Sequence, residues 1–302
     1  MAEGGEMMNR NVLFRWMNRL VDGLLWGAAC VVVWILLQVF VFASYYVPSN
    51  SMMPTLQPGD YVWVDKLAYG ARLFSLTKAA GGKPFGMSRA WGYGKVKRND
   101  VVVFNHPYPE NWKEMEFDLM KYYVKRCVAL PGDSFEIRRG HYRVRGSDEA
   151  LGNVPEQELV YQVSMYGERK IEGLNLHAFP KWRLFGWTIM EFGPMYVPRR
   201  GDTLPMTRKH YWLYHKLIEW ETRKALRLDA DGTVWLDDRQ LEQYTFRHGY
   251  YFMAGDHVAD SNDSRYWGLV PDDFIAGKVA GIWKSKDPLT GKIRWKRIGM
   301  IN

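Results

Sequence analysis

A second long apolar run is missing from this chain of 302 residues, and so is any density of cysteine. The first absence excludes a transporter built from several membrane spans. The two cysteines, Cys30 and Cys127, stand far apart in different segments and cannot build a disulfide framework, so cysteine usage leaves the redox compartment open. No RNP, zinc-finger or basic-zipper pattern accompanies the 41 Lys and Arg residues. The formal net charge of +8 and pI of about 9.3 therefore point to a bilayer with anionic headgroups rather than to nucleic acid. The chain also lacks a Gly-x-Ser-x-Gly elbow, a His-Glu-x-x-His pair and paired-cysteine ligand spacing. The usual serine-hydrolase layout and metal-dependent proteolysis lose their signatures, and neither metal nor cofactor is expected.

What is present begins with an exception to the average. A mean hydropathy of −0.34 looks like an ordinary soluble protein. Yet residues 24–47 carry no charged side chain, long enough as a helix to cross a hydrocarbon core of about 30 Å. Arg10, Arg15 and Arg19 precede this stretch and no Lys or Arg follows it until Lys66, which predicts a cytoplasmic N-terminus and an external remainder. A cleavable signal peptide competes for the same residues. The apolar stretch is too long for it, and Tyr45, Tyr46 and Val47 stand where small residues would be needed. Trp26, Tyr45 and Tyr46 suit interfacial anchors.

Beyond the span, a content of 47% hydrophobic and 15% aromatic residues excludes disorder. Short apolar, β-branched runs recur at 61–64, 101–104, 122–129, 134–137, 234–236, 250–253, 279–283 and 293–298, and read as strands. Gly-Asp pairs at 59–60, 132–133, 201–202 and 255–256 punctuate them as turns, with Gly expected at positive φ. One amphipathic helix is expected at Tyr211–Arg227, burying Leu213, Leu217 and Trp220. Gly-rich residues 78–95 read as a loop excursion. Five prolines between 155 and 205 break the pattern of 146–248, which reads as an inserted lobe.

Three segments carry chemistry. Ser49 and Ser51 follow the span closely in Pro48-Ser49-Asn50-Ser51-Met52-Met53-Pro54-Thr55, although a Ser beside Pro is also ordinary turn chemistry. A Ser hydroxyl needs a base, and a desolvated Lys serves as well as His. Lys125 lies inside the apolar run Tyr122–Leu130, on one face with Tyr123, Cys127 and Ala129, with Arg126 on the other; one of the two cations must then face the interior. The competing reading is an edge strand with a snorkelling Lys. The third segment, Gly255–Gly268, concentrates carboxylates, hydroxyls and an Arg after a strongly apolar strand. A Ser there is able to orient a neutral amine, and Asp263 and Arg265 to pair across the loop; a solvated turn is the alternative.

In order along the chain, Ser-x-Ser-Met-x-Pro-Thr (49–55), Gly-Asp with an apolar strand (59–66), Lys-Arg then Leu-Pro-Gly-Asp (125–133), and Ser-x-Asp-Ser-Arg (261–265) resemble the bacterial type I signal peptidases, or leader peptidases. The resemblance covers roughly residues 20–145 and 249–285. It implies a mainly β protein: one N-terminal transmembrane helix, then a core of antiparallel strands with an inserted second lobe. The domains expected are a cytoplasmic segment (1–23), a span (24–47), a catalytic core (48–145 and 249–302) and the lobe (146–248).

The implied activity is a membrane-anchored serine endopeptidase removing signal peptides from secretory preproteins. Its place would be the outer face of the bacterial cytoplasmic (inner) membrane, as a single-pass protein. The resemblance makes Ser51 the nucleophile, Lys125 the general base, Ser49 an oxyanion-hole donor beside the Ser51 N–H, Ser261 the residue that orients Lys125, and Asp263 and Arg265 structural. It departs at Ala129, where the family often has Gly, and at 257–260, which leaves the bracing of that loop open. A soluble self-cleaving regulator is disfavoured by the span. A membrane-anchored, non-catalytic binding or assembly factor is the alternative, against which Ser51, Lys125 and Ser261 all stand intact.

Overall fold

The computed structural model describes residues 3–75, 86–110, 113–166, 176–180, 182 and 184–301, with side chains from Phe14 onward. Helix α1 (Glu3–Phe40) contains a stretch, Phe14–Phe40, that is apolar apart from Arg15, Arg19 and Asp22 near its start, and its most apolar part is not buried by any of the described residues. At 27 residues it is long enough to cross a membrane. The expected span of 24–47 is shifted. Its last residues leave the helix at Phe40 and become a strand, β1 (Phe42–Tyr46). The apolar run continues across this junction, so composition could not mark it. Pairing marks it instead, since Phe42 lies opposite Asp65 and stacks on Trp63 at 4.4 Å, while Tyr46 lies opposite Tyr61. Tyr45 and Tyr46 are thus strand residues rather than helix anchors. Lys66 Nζ caps the helix end, donating to the carbonyls of Gln38 (2.7 Å) and Val39 (3.2 Å).

The main sheet continues with β2 (Asp60–Asp65), β3 (Val101–Asn105), β4 (Tyr122–Ala129), β5 (Tyr250–Ala254), β6 (Val270–Pro271), β7 (Ile275–Ser285) and β8 (Gly299–Met300). Its order is β1-β2-β7-β3-β4-β5-β6, with β8 beside β7, and every pairing is antiparallel. The protein is mainly β, as expected. The run at 293–298 is the exception: it forms a 3-10 turn at Trp295–Arg297. Arg294 and Arg297 converge there on the buried Asp60, tying the tail to the start of β2.

Strand β3 is buried on both faces and separates two cores. Val102 and Phe104 join a large cluster with Phe135, Phe252 and Trp267, and Val101 and Val103 join a smaller one with Met52, Leu56, Val62 and Val64. The large cluster also takes in Phe192, Leu213, Tyr214 and Leu217, so residues of 146–248 share a core with the main sheet. Those residues supply helix α2 (Val154–Tyr166), which sequence periodicity did not reveal, and helix α3 (Arg208–Thr222). Helix α3 buries Leu213, Tyr214, Leu217 and Ile218, with Trp220 only partly covered, and it stops five residues before the expected Arg227. Arg223 adopts φ 58° there and the chain turns into the strand Leu226–Leu228. Of the expected excursion 78–95, residues 78–85 lie outside the described residues. Ser88–Arg89 pairs with Arg72–Leu73, so the described part is not wholly loop.

Three of the four Gly-Asp turns have the expected form, with Gly59, Gly132 and Gly201 all at positive φ. In each, the Asp carboxylate accepts from the backbone N–H three residues earlier: Gln57, Leu130 and Arg199. A fourth turn of this form occurs at Asn99-Asp100, with Asn99 at φ 67°. Gly255 is not among the positive-φ residues. It is needed for another reason, because a Cβ there would lie 2.1 Å from Ser261 Oγ and 2.5 Å from the Ser51 carbonyl oxygen.

The loop between β1 and β2 is held to the smaller core by Met52 and Leu56, both fully buried. Leu56→Ala should lower the unfolding free energy by about 3 kcal/mol. Denaturant unfolding of the full chain in detergent measures this, and a loss below about 1 kcal/mol would mean that this core does not hold the loop.

Candidate active site

Residue 125 falls where strand alternation sends a side chain inward. Lys125 is paired across β3 with Val102, and its side chain shares a face with Tyr123 and Cys127. It is 4% exposed, and Nζ donates to Ser51 Oγ at 2.5 Å and to the Val124 carbonyl at 3.2 Å. Burial pushes the Lys125 amine down to about 8; Asp263 offsets this in part and Arg265 adds to it. The Tyr123 ring stands 5.6 Å from Nζ. Ser49 Oγ lies 3.3 Å from Ser51 Oγ. The expected meeting of Ser49, Ser51 and Lys125 at one place is therefore present in the geometry.

Arg126 was expected on the opposite face from Lys125, with only one of the two turned inward. Both are largely buried. The Arg126 guanidinium grips Asp256 with two bonds, Nε to Oδ1 at 2.7 Å and Nη2 to Oδ2 at 2.6 Å, and Thr55 Oγ1 donates to the same carboxylate. Asp263 and Arg265 form the second such pair, at 2.8 Å on both sides and wholly buried. Burial alone would raise the Asp263 carboxyl, but Arg265 and the Gly255 N–H outweigh it and hold the carboxyl low. Asp256 and Asp263 thus each have their own guanidinium, and neither bonds the Lys125 amine; Asp260, which lines the cleft, also favours the charged amine.

The loop after β5 is pressed against the Ser51 segment, with the His257 N–H donating to the Ser51 carbonyl at 3.2 Å. Residues 257–260, whose bracing the sequence left open, form a short 3-10 turn at Val258–Asp260. The lobe supports this loop, since Asn153 Nδ2, just before α2, donates to the Asp256 carbonyl at 3.1 Å. Ser261 sits in the same loop, but its expected hydrogen bond to Lys125 is not formed. Its buried hydroxyl lies beside Asp263, without a hydrogen bond of ordinary geometry among the described residues.

Sequence reading missed Asp256 as a functional neighbour, taking it for turn chemistry. Its position directly after an apolar strand, three residues past Met253, was the available signal. It also missed His106, which rests on Tyr123 with ring centres 4.2 Å apart and is held neutral, at about 4, chiefly by burial. His106 makes no bond to Ser51, so the amine is the basic group in hydrogen-bond contact with this hydroxyl.

Ser51 and Lys125 open on a cleft of about 400 Å³ bounded by residues 45–52 on one side, 122–125 on the other, and Asp260 and Asn262. Backbone edges line it. Among the described residues β1 pairs only with β2, and β5 pairs with β4 from Arg126 onward, which leaves 122–125 with a strand partner on one side only. An extended peptide fits such a gap as an added strand. A hydroxyl bonded to a buried, easily neutralised amine at its floor is equipped for nucleophilic attack on that peptide.

Comparison with known proteins shows what the chain is similar to. The model of the family described as signal peptidase, peptidase S26, matches residues 20–284. The signal peptidase I of Pseudomonas aeruginosa is 28% identical over 280 residues, covering 89% of this chain and 74% of that protein. That of Pseudomonas fluorescens is 28% identical over 282 residues, covering 88% and 74%. That of Buchnera aphidicola subsp. Schizaphis graminum is 26% identical over 279 residues, covering 87% and 75%.

The depressed Lys125 has a consequence for stability. Between about 8 and the ordinary 10.5, the folded chain binds fewer protons than the unfolded one, so stability rises with pH across that window and the burial penalty is complete below it. Lys125→Met removes the penalty. The variant should be more stable than the parent by about 3 kcal/mol at pH 7, with the difference fading above pH ~10.5. Unfolding curves at pH 7 and pH 10.5 test this, and a gap that does not change with pH would contradict it.

Proposed function

The chain belongs to the signal peptidase family, peptidase S26, and is a peptidase; on that premise we propose that it is a membrane-anchored serine endopeptidase that removes N-terminal signal peptides from translocated preproteins. The observation that carries the reading is the 2.5 Å contact between Ser51 Oγ and an amine buried enough to lose its proton near pH 8. In this reading α1 is the anchor, with its N-terminus cytoplasmic and the β-rich part on the outer face of the bacterial inner membrane. Arg15 and Arg19 at the start of the apolar stretch support that orientation, and translocation of a long folded domain is little affected by its own Lys and Arg. Residues 48–145 and 249–302 act as the catalytic core, with 146–248 as an inserted lobe bracing the loop at 255–261.

The substrate lies extended between the edges at 45–47 and 122–125, small side chains toward the cleft floor, as in A-x-A cleavage sites. Ser51 Oγ attacks the scissile carbonyl carbon and its proton passes to neutral Lys125. The Ser49 hydroxyl and the Ser51 N–H receive the oxyanion, each contributing on the order of 3 kcal/mol at the transition state. Lys125 then protonates the departing amine of the mature protein, leaving an acyl-Ser51 intermediate. A water attacks the acyl carbon, gives its proton to Lys125, and the proton returns to Ser51 as the signal peptide leaves. Ser261 orients the amine by turning its unpaired hydroxyl from the Asp263 side, while Asp263 and Arg265 hold the loop.

Preprotein cleavage by the parent, Ser51→Ala and Lys125→Met in detergent tests the dyad. Each variant should lose more than about 10³-fold in kcat/KM, and undiminished processing by both would leave the non-catalytic alternative. For the parent, kcat/KM should climb about tenfold per pH unit below about 8 and level above it. A flat profile with chemistry rate-limiting would remove Lys125 as base.

A further inference from the structure

The net charge of this chain is not spread along it. Residues 66–99 contain five Lys, three Arg and no Asp or Glu, so this segment carries +8, equal to the whole formal excess. Its first two cations, Lys66 and Arg72, line a second cavity of about 510 Å³ at the junction of α1 with the sheet. Ile35 and Val39 of α1 form its apolar wall, and Tyr45 and Tyr122 form another. Their rings lie 4.8 Å apart and border the catalytic cleft as well, so the two cavities stand back to back.

Both cations rest on neutral acceptors. Lys66 bonds the two helix-end carbonyls, and Arg72 bonds the Asn105 side-chain oxygen, the Phe274 carbonyl and the Tyr122 hydroxyl. Among the described residues neither has a carboxylate at ion-pair distance, and Asp273 attracts Arg72 only from further away. Burial lowers the pKa of both, and Arg72 lowers that of Lys66 further, the behaviour of two cations enclosed together without a counter-charge. An anion between them would relieve that repulsion. The site lies at the end of a 27-residue, largely apolar helical stretch whose most apolar part none of the described residues buries, so an anion arriving there with apolar chains attached meets a matching wall.

We propose that this junction cavity binds the headgroup of an anionic phospholipid, its phosphodiester held by Lys66 and Arg72 and its acyl chains lying along Ile35 and Val39 of α1. The proposal rests on α1 being a membrane span. The bound lipid braces the helix end against the Tyr45–Tyr122 wall of the catalytic cleft, which links the composition of the bilayer to the geometry of the site.

The test uses the full chain in neutral detergent, with lipid retention read by native mass spectrometry after incubation with phosphatidylglycerol or phosphatidylcholine. The parent should retain phosphatidylglycerol in preference to phosphatidylcholine. Lys66→Gln should weaken that retention about fivefold, the equivalent of the ~1 kcal/mol that one basic side chain is worth near an anionic surface. Lys66→Arg should restore it, and Lys95→Gln, in the same basic segment but outside the cavity, should leave it unchanged. Equal retention of the two lipids, or an unaltered Lys66→Gln, would overturn the proposal. Displacement of the lipid by millimolar inorganic phosphate would show a free-phosphate site and overturn the lipid assignment. Co-sedimentation of the same chain with phosphatidylcholine vesicles reports anchoring separately, so failure of the span is distinguishable from failure of the lipid site.

Discussion

A lysine amine enclosed by protein at 4% exposure, with no carboxylate bonded to it, is the constraint around which this structure is arranged. Water would hold the ammonium in its charged form, and a carboxylate bonded to it would do the same. Neither is given to Lys125. Two of the acids in its vicinity are each paired with a guanidinium, Asp256 with Arg126 and Asp263 with Arg265, and the pull of these acids and of Asp260 offsets the burial of the amine only in part. Removing one member of a buried pair leaves a charge without compensation, which makes each pair hard to vary. The loop at 255–265 therefore supplies both structure and electrostatics.

The same constraint explains why residues distant in sequence converge. Ser51 is held by Met52 and Leu56 in the smaller core, Lys125 by the pleat of β4, and Gly255 permits backbone and side chains to meet where a Cβ would not fit. Thr55 and Arg126 meet on Asp256, so the Ser51 segment, β4 and the loop after β5 form one hydrogen-bonded unit. The lobe joins this unit through Asn153 and shares its large core with the main sheet.

At the end of α1, the turn from helix to strand at Phe40–Phe42 matters as much. A helix continuing to Val47 would have carried Tyr45 and Tyr46 away from β2. As strand residues, they bring the chain back against β2 and begin one wall of the cleft. Lys66 closes the helix end from across this turn, so α1 and the sheet are fastened together beside the site.

Much of this was legible in the sequence. The apolar stretch, most of the strands and the positive-φ turns at Gly59, Gly132 and Gly201 follow from local composition and alternation, which short-range physics controls, whereas the triple Ser49, Ser51 and Lys125 was singled out by the resemblance of its motifs to a family. The end of the helix, α2, the stop of α3 at Thr222, the tail at 293–298 and the Arg126–Asp256 pair were not legible. Three of these depend on a partner many residues away: Trp63 for Phe42, Asp60 for Arg297, Asp256 for Arg126. The sequence by itself determined which residues had chemistry to offer and in what order they came. Only the tertiary structure decided which cations were buried and how each was neutralised, because burial and charge pairing are properties of the space between segments and not of either segment alone.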